Sequence, residues 1–377
     1  MMRRLLVVVV LAAIGALTYA AIRAHRDLTD FEVYRTAATR AASAEPLYRP
    51  DDGHYQFKYL PAFAVAARPL ALMSDETAKR VWFGISFALS VVFVWTLVRT
   101  LPDRRLPCLA LAAWTTLVVG KFFVRELALG QTNALLAVLL LPAIVRPDRH
   151  PRLAGVAAGA AVFVKPYALL MLPWLAVRQP RAATLSAALA IAVGLLVPVA
   201  TYGWAGNLSL LGEWWRTVTD TTAPNLFHPD NVSVVSMWAK WLGPLPGATV
   251  LGVATAIALL GEASWTCWAG RGGRGPVSPS YLEAGLLMLL MPLLSPQGWD
   301  YVLLLGTPVV IAVIDRWPDL PSGARQLVIG VAIVLATPIR LFMSVVAYNA
   351  VMDTAIVTVA AIVLVGLGTS LRAKALL

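Results

Sequence analysis

Long apolar runs separated by short polar and basic clusters give this chain its pattern. Twelve runs are legible, at roughly 5–22, 80–98, 106–121, 131–145, 152–165, 166–177, 182–202, 249–269, 281–296, 300–315, 326–346 and 352–371. A helix needs about 20 mostly apolar residues to cross the hydrocarbon core of a bilayer. Only helices and closed barrels satisfy their backbone there, and no run alternates as a barrel strand does. The pattern predicts an all-α, polytopic transmembrane bundle of about 10–12 spans. The runs at 152–165 and 166–177 are too short to cross alone at about 1.5 Å per residue. They predict a shallow hairpin with Lys165-Pro166 at its tip, because proline suits a turn or a first helical position.

The basic clusters orient these runs. With Arg3 and Arg4 inside, Arg99, Arg104 and Arg105 fall inside as well. The same face takes Arg146, Arg149 and Arg152, then Arg178 and Arg181, Arg271 and Arg274, Arg316 and Arg325, and Arg372 and Lys374. Cytoplasmic loops carry such an excess of Lys and Arg. Two long segments, about 23–79 and 203–248, are then outside. The first holds an amphipathic stretch, Leu28 to Ala42, and a Pro/Tyr-rich stretch, Pro46 to Tyr59. The second carries Trp204, Trp214, Trp215, Trp238 and Trp241. Tryptophan favours the headgroup level, so both loops are expected to lay helices on the outer surface. No tandem repeat or soluble module interrupts residues 1–377, which read as a single transmembrane domain.

Composition agrees. Charged residues make up 14% of the chain, against about 25% in soluble domains, and mean hydropathy is +0.73. The net charge of +11 is spread over loops with no basic domain or helix, which excludes a nucleic-acid partner. The two cysteines, Cys108 and Cys267, form no metal motif. The first apolar run has a small-residue stretch, Thr18 to Ala21, that suits a signal peptidase. The topology closes more simply with that run kept as a span. The cell membrane, plasma or inner, is the expected location, with multiple passes and the polar chemistry on the extracytoplasmic side.

The residues that look chemical collect on that outer side. Asp30 follows the first run, and a spacing of four puts it on one helical face with Tyr34. Such an acid suits proton abstraction from a hydroxyl; a helix N-cap is the alternative, and Asp27 is a nearby competitor. Lys58 and Tyr59 flank a polar loop whose Asp51-Asp52 pair is too few ligands for a hard cation. Arg125, Gln131 and Asn133 lie at the outer end of the fourth run, where amides need partners. Lys165 sits at the hairpin tip, where an ammonium either snorkels or meets an anion. A lipid-linked phosphate is the anion found at that depth, and Arg125 is expected to share it through charge-assisted bonds. Lys58 is a weaker candidate for the same phosphate. His228 and Asn231 mark the second loop. Gln297, Trp299 and Asp300 form a tight polar turn, with Arg125 or Lys165 as the expected counter-ion of Asp300. No P-loop, GxSxG or HExxH occurs, which leaves nucleotide-driven pumping and proteolysis unsupported.

Taken together, these motifs resemble glycosyltransferase family 87, in the GT-C superfamily, over about 25 to 350. The pieces that carry the resemblance are Asp30-Phe31 with Tyr34, Pro46-Leu47-Tyr48, Tyr59-Leu60-Pro61 with Pro69-Leu70, Gly130-Gln131 with Asn133, Lys165-Pro166, Asn231 with Ser233, and Ser295-Pro296 with Trp299. The resemblance implies a multi-span enzyme working on the outer face. It would move a hexose, often mannose, from a polyprenyl-phosphate donor to a lipid- or glycan-linked acceptor, with inversion. Asp30 matches the superfamily's general base. Tyr34, Tyr59, Gln131, Asn133, His228, Asn231, Gln297, Trp299 and Asp300 are then substrate-binding candidates. Membrane lipids surround the enzyme, no cofactor is required, no residue is assigned to a metal, and a divalent ion is optional. One departure stands out. Many members follow Ser-Pro-x-x-Trp with histidine, whereas this chain has Asp300-Tyr301. A transporter or lipid-linked-sugar flippase is the alternative, though it would place polar groups at the midplane and often show inverted repeats. A non-catalytic scaffold would not need Asp30, Lys165 and Asp300.

Overall fold

The computed structural model describes residues 28–145, 147–178, 181–269, 279–337, 339–340 and 342–373. The expected first span, the signal-like stretch, Asp27 and the basic residues Arg3, Arg4, Arg146, Arg271, Arg274 and Lys374 lie outside them. Apart from one isolated bridge, regular structure among the described residues is helical, as the apolar pattern requires. The elements used below are α1 (Thr29–Ala42), α2 (Pro61–Ala66), α3 (Asp75–Thr100), α4 (Cys108–Leu129), α5 (Asn133–Val145), α6 (Pro151–Val164), α7 (Met171–Arg178), α8 (Ala182–Leu196), α9 (Val199–Asp220), α10 (Thr222–Asn225), α11 (Val234–Leu242), α12 (Pro246–Ala269), α13 (Pro279–Leu294), α14 (Thr307–Asp315), α15 (Ser322–Ala336), α16 (Val345–Asp353) and α17 (Ile356–Ala373).

Length and apolarity identify three candidate spans among the described residues, in α3, α4 and α12, or five if two bent pairs each cross once. That is fewer than the 10–12 expected, although nearly every apolar run does form helix. The reason lies in how the runs are broken. The run at 182–202 turns by 90° between α8 and α9, where Pro198 precedes the first helical residue. The run at 300–315 begins as a 3₁₀ segment, Asp300–Gly306. A break falls where the hairpin tip was expected: α6 stops at Val164 and Lys165 is extended at φ −148°, ψ 118°. The residue before a proline is driven to that region by the ring.

The chain forms two compact units. The N-terminal unit holds described residues 28–93 and 124–223; the C-terminal unit holds 94–123 and 224–373. In the N-terminal unit, α1 buries Phe31, Tyr34, Ala37, Ala38 and Ala41, a stripe with helical spacing. This is the amphipathic stretch expected on the outer surface, and its apolar face packs against α2 and the 3₁₀ turn Arg68–Leu72. Helices α6 and α8 pack closely because Gly155 and Gly159 face the other backbone. A Cβ at these positions would stand 2.2 Å from the Ala183 carbonyl oxygen and 2.8 Å from that of Ala187. Small residues one turn apart permit such approach in membranes, and the pairing fixes the end of α6 that presents Lys165. Trp204 and Trp215 of α9 are exposed, as interfacial anchors would be.

In the C-terminal unit, α13 is apolar but for its first turns, where Glu283 pairs with Arg372 at 3.2 Å, and it is buried against α14 and α17, as a core helix should be. The expected cytoplasmic loops show their own order. Arg105 and Leu106 donate backbone N–H bonds of 2.9 Å to Asp315 Oδ1. Arg316 bonds the Asp103 carbonyl at 2.9 Å, and Arg105 pairs with Asp319. Two of the predicted inside segments are thereby tied together.

Candidate functional site

The N-terminal unit gathers a connected polar cluster around α1. Asp30 does not cap that helix: the helix starts at Thr29 with Leu28 before it and no side-chain cap. Its carboxylate instead accepts a bond of 2.5 Å from Gln131 Nε2. The other end of that amide, Oε1, accepts from the Tyr34 hydroxyl at 3.4 Å, so one amide spans the two residues placed on one face by their spacing. Tyr34 and Tyr59 share a hydroxyl–hydroxyl bond of 2.8 Å, and Thr132 donates to the Tyr59 hydroxyl at 3.4 Å. The arrows run from Thr132 through Tyr59, Tyr34 and Gln131 to the Asp30 carboxylate, where the chain ends on an acceptor. Lys165 Nζ lies 4.7 Å from the centre of the Tyr59 ring, within cation–π range.

Backbone geometry holds these groups. Gly130, before Gln131, has φ +71°, and a Cβ there would lie 2.9 Å from Phe31 Cβ. Only glycine suits both constraints, and the Gly130 carbonyl is held by Trp82 Nε1 at 2.8 Å. The Tyr48 hydroxyl donates to the Tyr59 carbonyl at 2.7 Å. Trp214 Nε1 donates to the Lys58 carbonyl at 3.1 Å. Glu126, fully buried, accepts from Asn133 Nδ2 and the Ala134 N–H, both at 2.8 Å. It thus closes the first turn of α5, where a carboxylate is favoured by the unpaired amides. Asn133 is left to accept from the Tyr167 hydroxyl at 3.2 Å through Oδ1. Arg125 is half-buried one residue before Glu126.

Electrostatics draw Lys58 into the same cluster. Burial holds its ammonium below the ordinary lysine value, the Lys165 charge depresses it further, and Asp30 partly opposes both. The Lys58 ammonium thus feels the charge of Lys165 on one hand and of Asp30 on the other. Lys58, the weaker candidate by sequence, is the cation that the structure associates with Lys165.

The C-terminal unit builds a second network from the other candidates. Asn231 and Trp299 form an antiparallel bridge, flanked by Val232 N–H to the Gly298 carbonyl at 2.6 Å and Asp300 N–H to the Asp230 carbonyl at 2.9 Å. Gly298 is required, because a Cβ would lie 1.9 Å from the Pro292 carbonyl oxygen. Asn231 Nδ2 bonds the carbonyls of Asn225 and Pro296 at 2.9 and 2.8 Å, and Asn225 reaches Gln297 Oε1 at 3.4 Å. The His228 ring meets Trp299 edge-on at 4.8 Å. The two polar loops, distant in sequence, are thus one structure. Asp230 and Asp300 are buried, and Asp230 Oδ1 accepts from Tyr348 at 2.7 Å.

The cation beside these acids is Lys240, which lies unremarked in the Trp-rich loop. Its Nζ donates to the carbonyls of Pro229 at 2.8 Å, Asn231 at 2.9 Å and Met352 at 3.3 Å. Burial lowers its ammonium to about 8 against the pull of Asp353, Asp230 and Asp300. Arg125 and Lys165, the expected partners of Asp300, belong to the N-terminal unit. Glu126, Tyr167, Lys240 and Tyr348 are the residues that sequence reasoning passed over. Glu126 carried a signal, since a carboxylate within an apolar run marks function or a buried partner. Among the described residues, no group of three or more His, Cys, Asp or Glu side chains is placed to hold a metal ion.

An all-α membrane protein with a polar cluster joining an acid, phenols and paired lysines is the class these features define. The family model of glycosyltransferase family 87 matches residues 57–296, so the chain belongs to that family and is an integral membrane glycosyltransferase. The match includes Lys58, Tyr59, Arg125, Gln131, Asn133, Lys165, His228 and Asn231, and it stops short of Asp30, Tyr34, Gln297, Trp299 and Asp300. No curated protein and no solved structure matches the chain.

Proposed function

We propose that this glycosyltransferase moves a hexose, mannose foremost, from a polyprenyl-phosphate donor to a lipid- or glycan-linked acceptor on the outer face of the cell membrane. The observation that carries the reading is the gathering of Lys58 and Lys165 beside the Asp30 carboxylate. Two neighbouring ammonium groups repel, and an anion between them relieves that repulsion. A phosphate is such an anion, and the outer end of a helix is the depth at which a lipid phosphate lies. Arg125 is a third cation for it. Tyr34, Tyr59, Gln131 and Asn133 shape the polar wall.

The chemistry follows from the pairing of acid and cations. The acceptor hydroxyl gives its proton to Asp30 as its oxygen bonds the anomeric carbon. The bond from that carbon to the phosphate oxygen breaks on the opposite face, so the configuration inverts. The departing phosphate carries its charge to the lysines. His228, placed against Trp299 by the bridged loops, stands in for the histidine that follows Ser-Pro-x-x-Trp in other members. Asn231, Gln297 and Asp300 then order that loop pair. Family membership speaks for a transferase over the transporter reading.

The test is direct. Purified protein is given polyprenyl-phosphate mannose, glucose and arabinose against extracted cell lipids. Label should pass to lipid from the mannosyl donor most readily and fail to pass with Asp30→Asn. Transfer from a nucleotide sugar with no polyprenyl donor would sink the donor assignment. Sidedness has a separate check: Pro102→Cys should resist a membrane-impermeant thiol reagent in intact cells, and labelling there would reverse the topology.

A further inference from the structure

We propose that a cleft on the opposite side of α1 from Asp30 is a second carbohydrate-binding site, which takes a sugar unit of the acceptor other than the one that reacts. The assignment to the acceptor rests on the proposed function; binding of a sugar in the cleft does not. The cleft has a volume of about 230 Å³ and is lined by Glu32, Val33, Thr36, Arg40, Asp52, Tyr55 and Phe57. Glu32, Thr36 and Arg40 recur every four residues, offset by two from Asp30 and Tyr34, and at about 100° per residue that puts them on the other face of the helix.

The lining chemistry selects the ligand. Arg40 grips Asp52 through two bonds of 2.5 and 2.7 Å, so its planar fork is already committed to a carboxylate. Glu32 is paired with Lys79 at 2.7 Å. Two carboxylates at the wall disfavour an anion. A divalent cation lacks the ligands, since no group of three acidic or histidine side chains forms among the described residues. A neutral polyhydroxylated ligand remains. Carboxylate oxygens with spare lone pairs and the Thr36 hydroxyl accept from sugar hydroxyls, and Tyr55, 54% exposed, offers a ring against which the C–H face of a pyranose can lie. Aromatic walls with a few fixed polar groups are the usual composition of small-molecule pockets. Water occupies about 30 Å³ in the liquid, so the cleft displaces several waters and suits one sugar ring.

The test uses the full chain in lipid nanodiscs and saturation-transfer NMR with methyl α-mannoside and methyl α-glucoside as probes, inorganic phosphate being the competitor. Wild type and Asp30→Asn should bind a methyl glycoside equally. Tyr55→Ala and Glu32→Gln should weaken that binding about tenfold, the scale of losing an aromatic or polar anchor, while Tyr55→Phe retains it. Undiminished binding by Tyr55→Ala, no binding by wild type, or displacement by phosphate would each overturn the site. An active Asp30→Asn enzyme would instead count against the proposed chemistry and leave the binding result standing.

Discussion

The two polar networks differ in their balance of charge and in how completely they are closed. Around Asp30, the N-terminal unit sets Lys58 and Lys165 near each other, with Asp30 and Glu126 as the neighbouring acids. Around Asp300, the C-terminal unit sets one lysine, Lys240, among Asp230, Asp300 and Asp353. In the second network the polar groups are spent on one another: Asn231 ties two carbonyls, Lys240 ties three, and Asp230 holds Tyr348. A closed network of that kind defines a shape. Paired lysines with no carboxylate bonded to either amine among the described residues are a different thing, because nearby like charges are retained against a cost that an anionic ligand would offset.

From that contrast, the largest effect falls in the N-terminal unit. Asp30→Asn keeps the size of the side chain and removes the base. Turnover should fall about 10²–10⁴-fold, the usual worth of general-base catalysis, with the folded fraction unchanged by size-exclusion chromatography. Near-normal turnover in Asp30→Asn alongside a dead Asp27→Asn would transfer the role to the other aspartate; activity in both would end base catalysis as the mechanism.

The cation pair comes next. Lys165→Ala should raise donor KM about 10- to 100-fold, the range for losing one charge-assisted bond, and leave acceptor KM nearly still. Lys58→Ala should do the same to a smaller degree. Donor KM should also climb as pH rises through the depressed titration of Lys58, because only the ammonium attracts phosphate. A donor KM indifferent to both substitutions would remove these lysines from the phosphate site.

Local rules made the first network legible and hid much of the second. The four-residue spacing of Asp30 and Tyr34 fixed their common face, and Lys165-Pro166 fixed an extended break, since each depends only on neighbours in sequence. The glutamine that joins Asp30 to Tyr34 lies far along the chain, yet Gln131 stood out as an amide entering an apolar helix. Lys240 gave no such sign: a lysine in a Trp-rich amphipathic helix reads as solvated, and its partners are carbonyls of two other segments. Tyr348 likewise carries no local signal, and only packing places it on Asp230. The course of the spans was less legible for a related reason. Hydropathy measures the length of an apolar run, while Pro198 and the 3₁₀ segment at Asp300 decide whether that run stays one straight helix.

The closed network should answer to stability assays. Tyr348→Phe leaves a buried carboxylate oxygen short of a donor, a loss worth about 1–3 kcal/mol. The apparent melting temperature in detergent should drop, and turnover per folded molecule should hold. A drop in turnover at unchanged melting temperature would move Asp230 into the chemistry and blur the contrast between the units.

The smallest effect is a pH slope carried by Lys240. In the unfolded chain its amine titrates near the ordinary 10.5, and in the folded chain near 8. Between these values the unfolded chain binds the extra proton, so this group makes folding more favourable as pH rises from about 8 to 10.5. Below about 8 both states carry the charge, and the cost of burying it is present in full. Lys240→Met removes the titration and keeps most of the side-chain volume. The melting temperature of wild type, taken relative to Lys240→Met at each pH, should therefore climb across that window. A flat or falling difference would mean that the aspartates hold the ammonium charged throughout. The C-terminal network would then be an ion cluster like its N-terminal counterpart, richer in acids, and the distinction between a closed scaffold and an open site would have to rest on Asp30 and the two lysines alone.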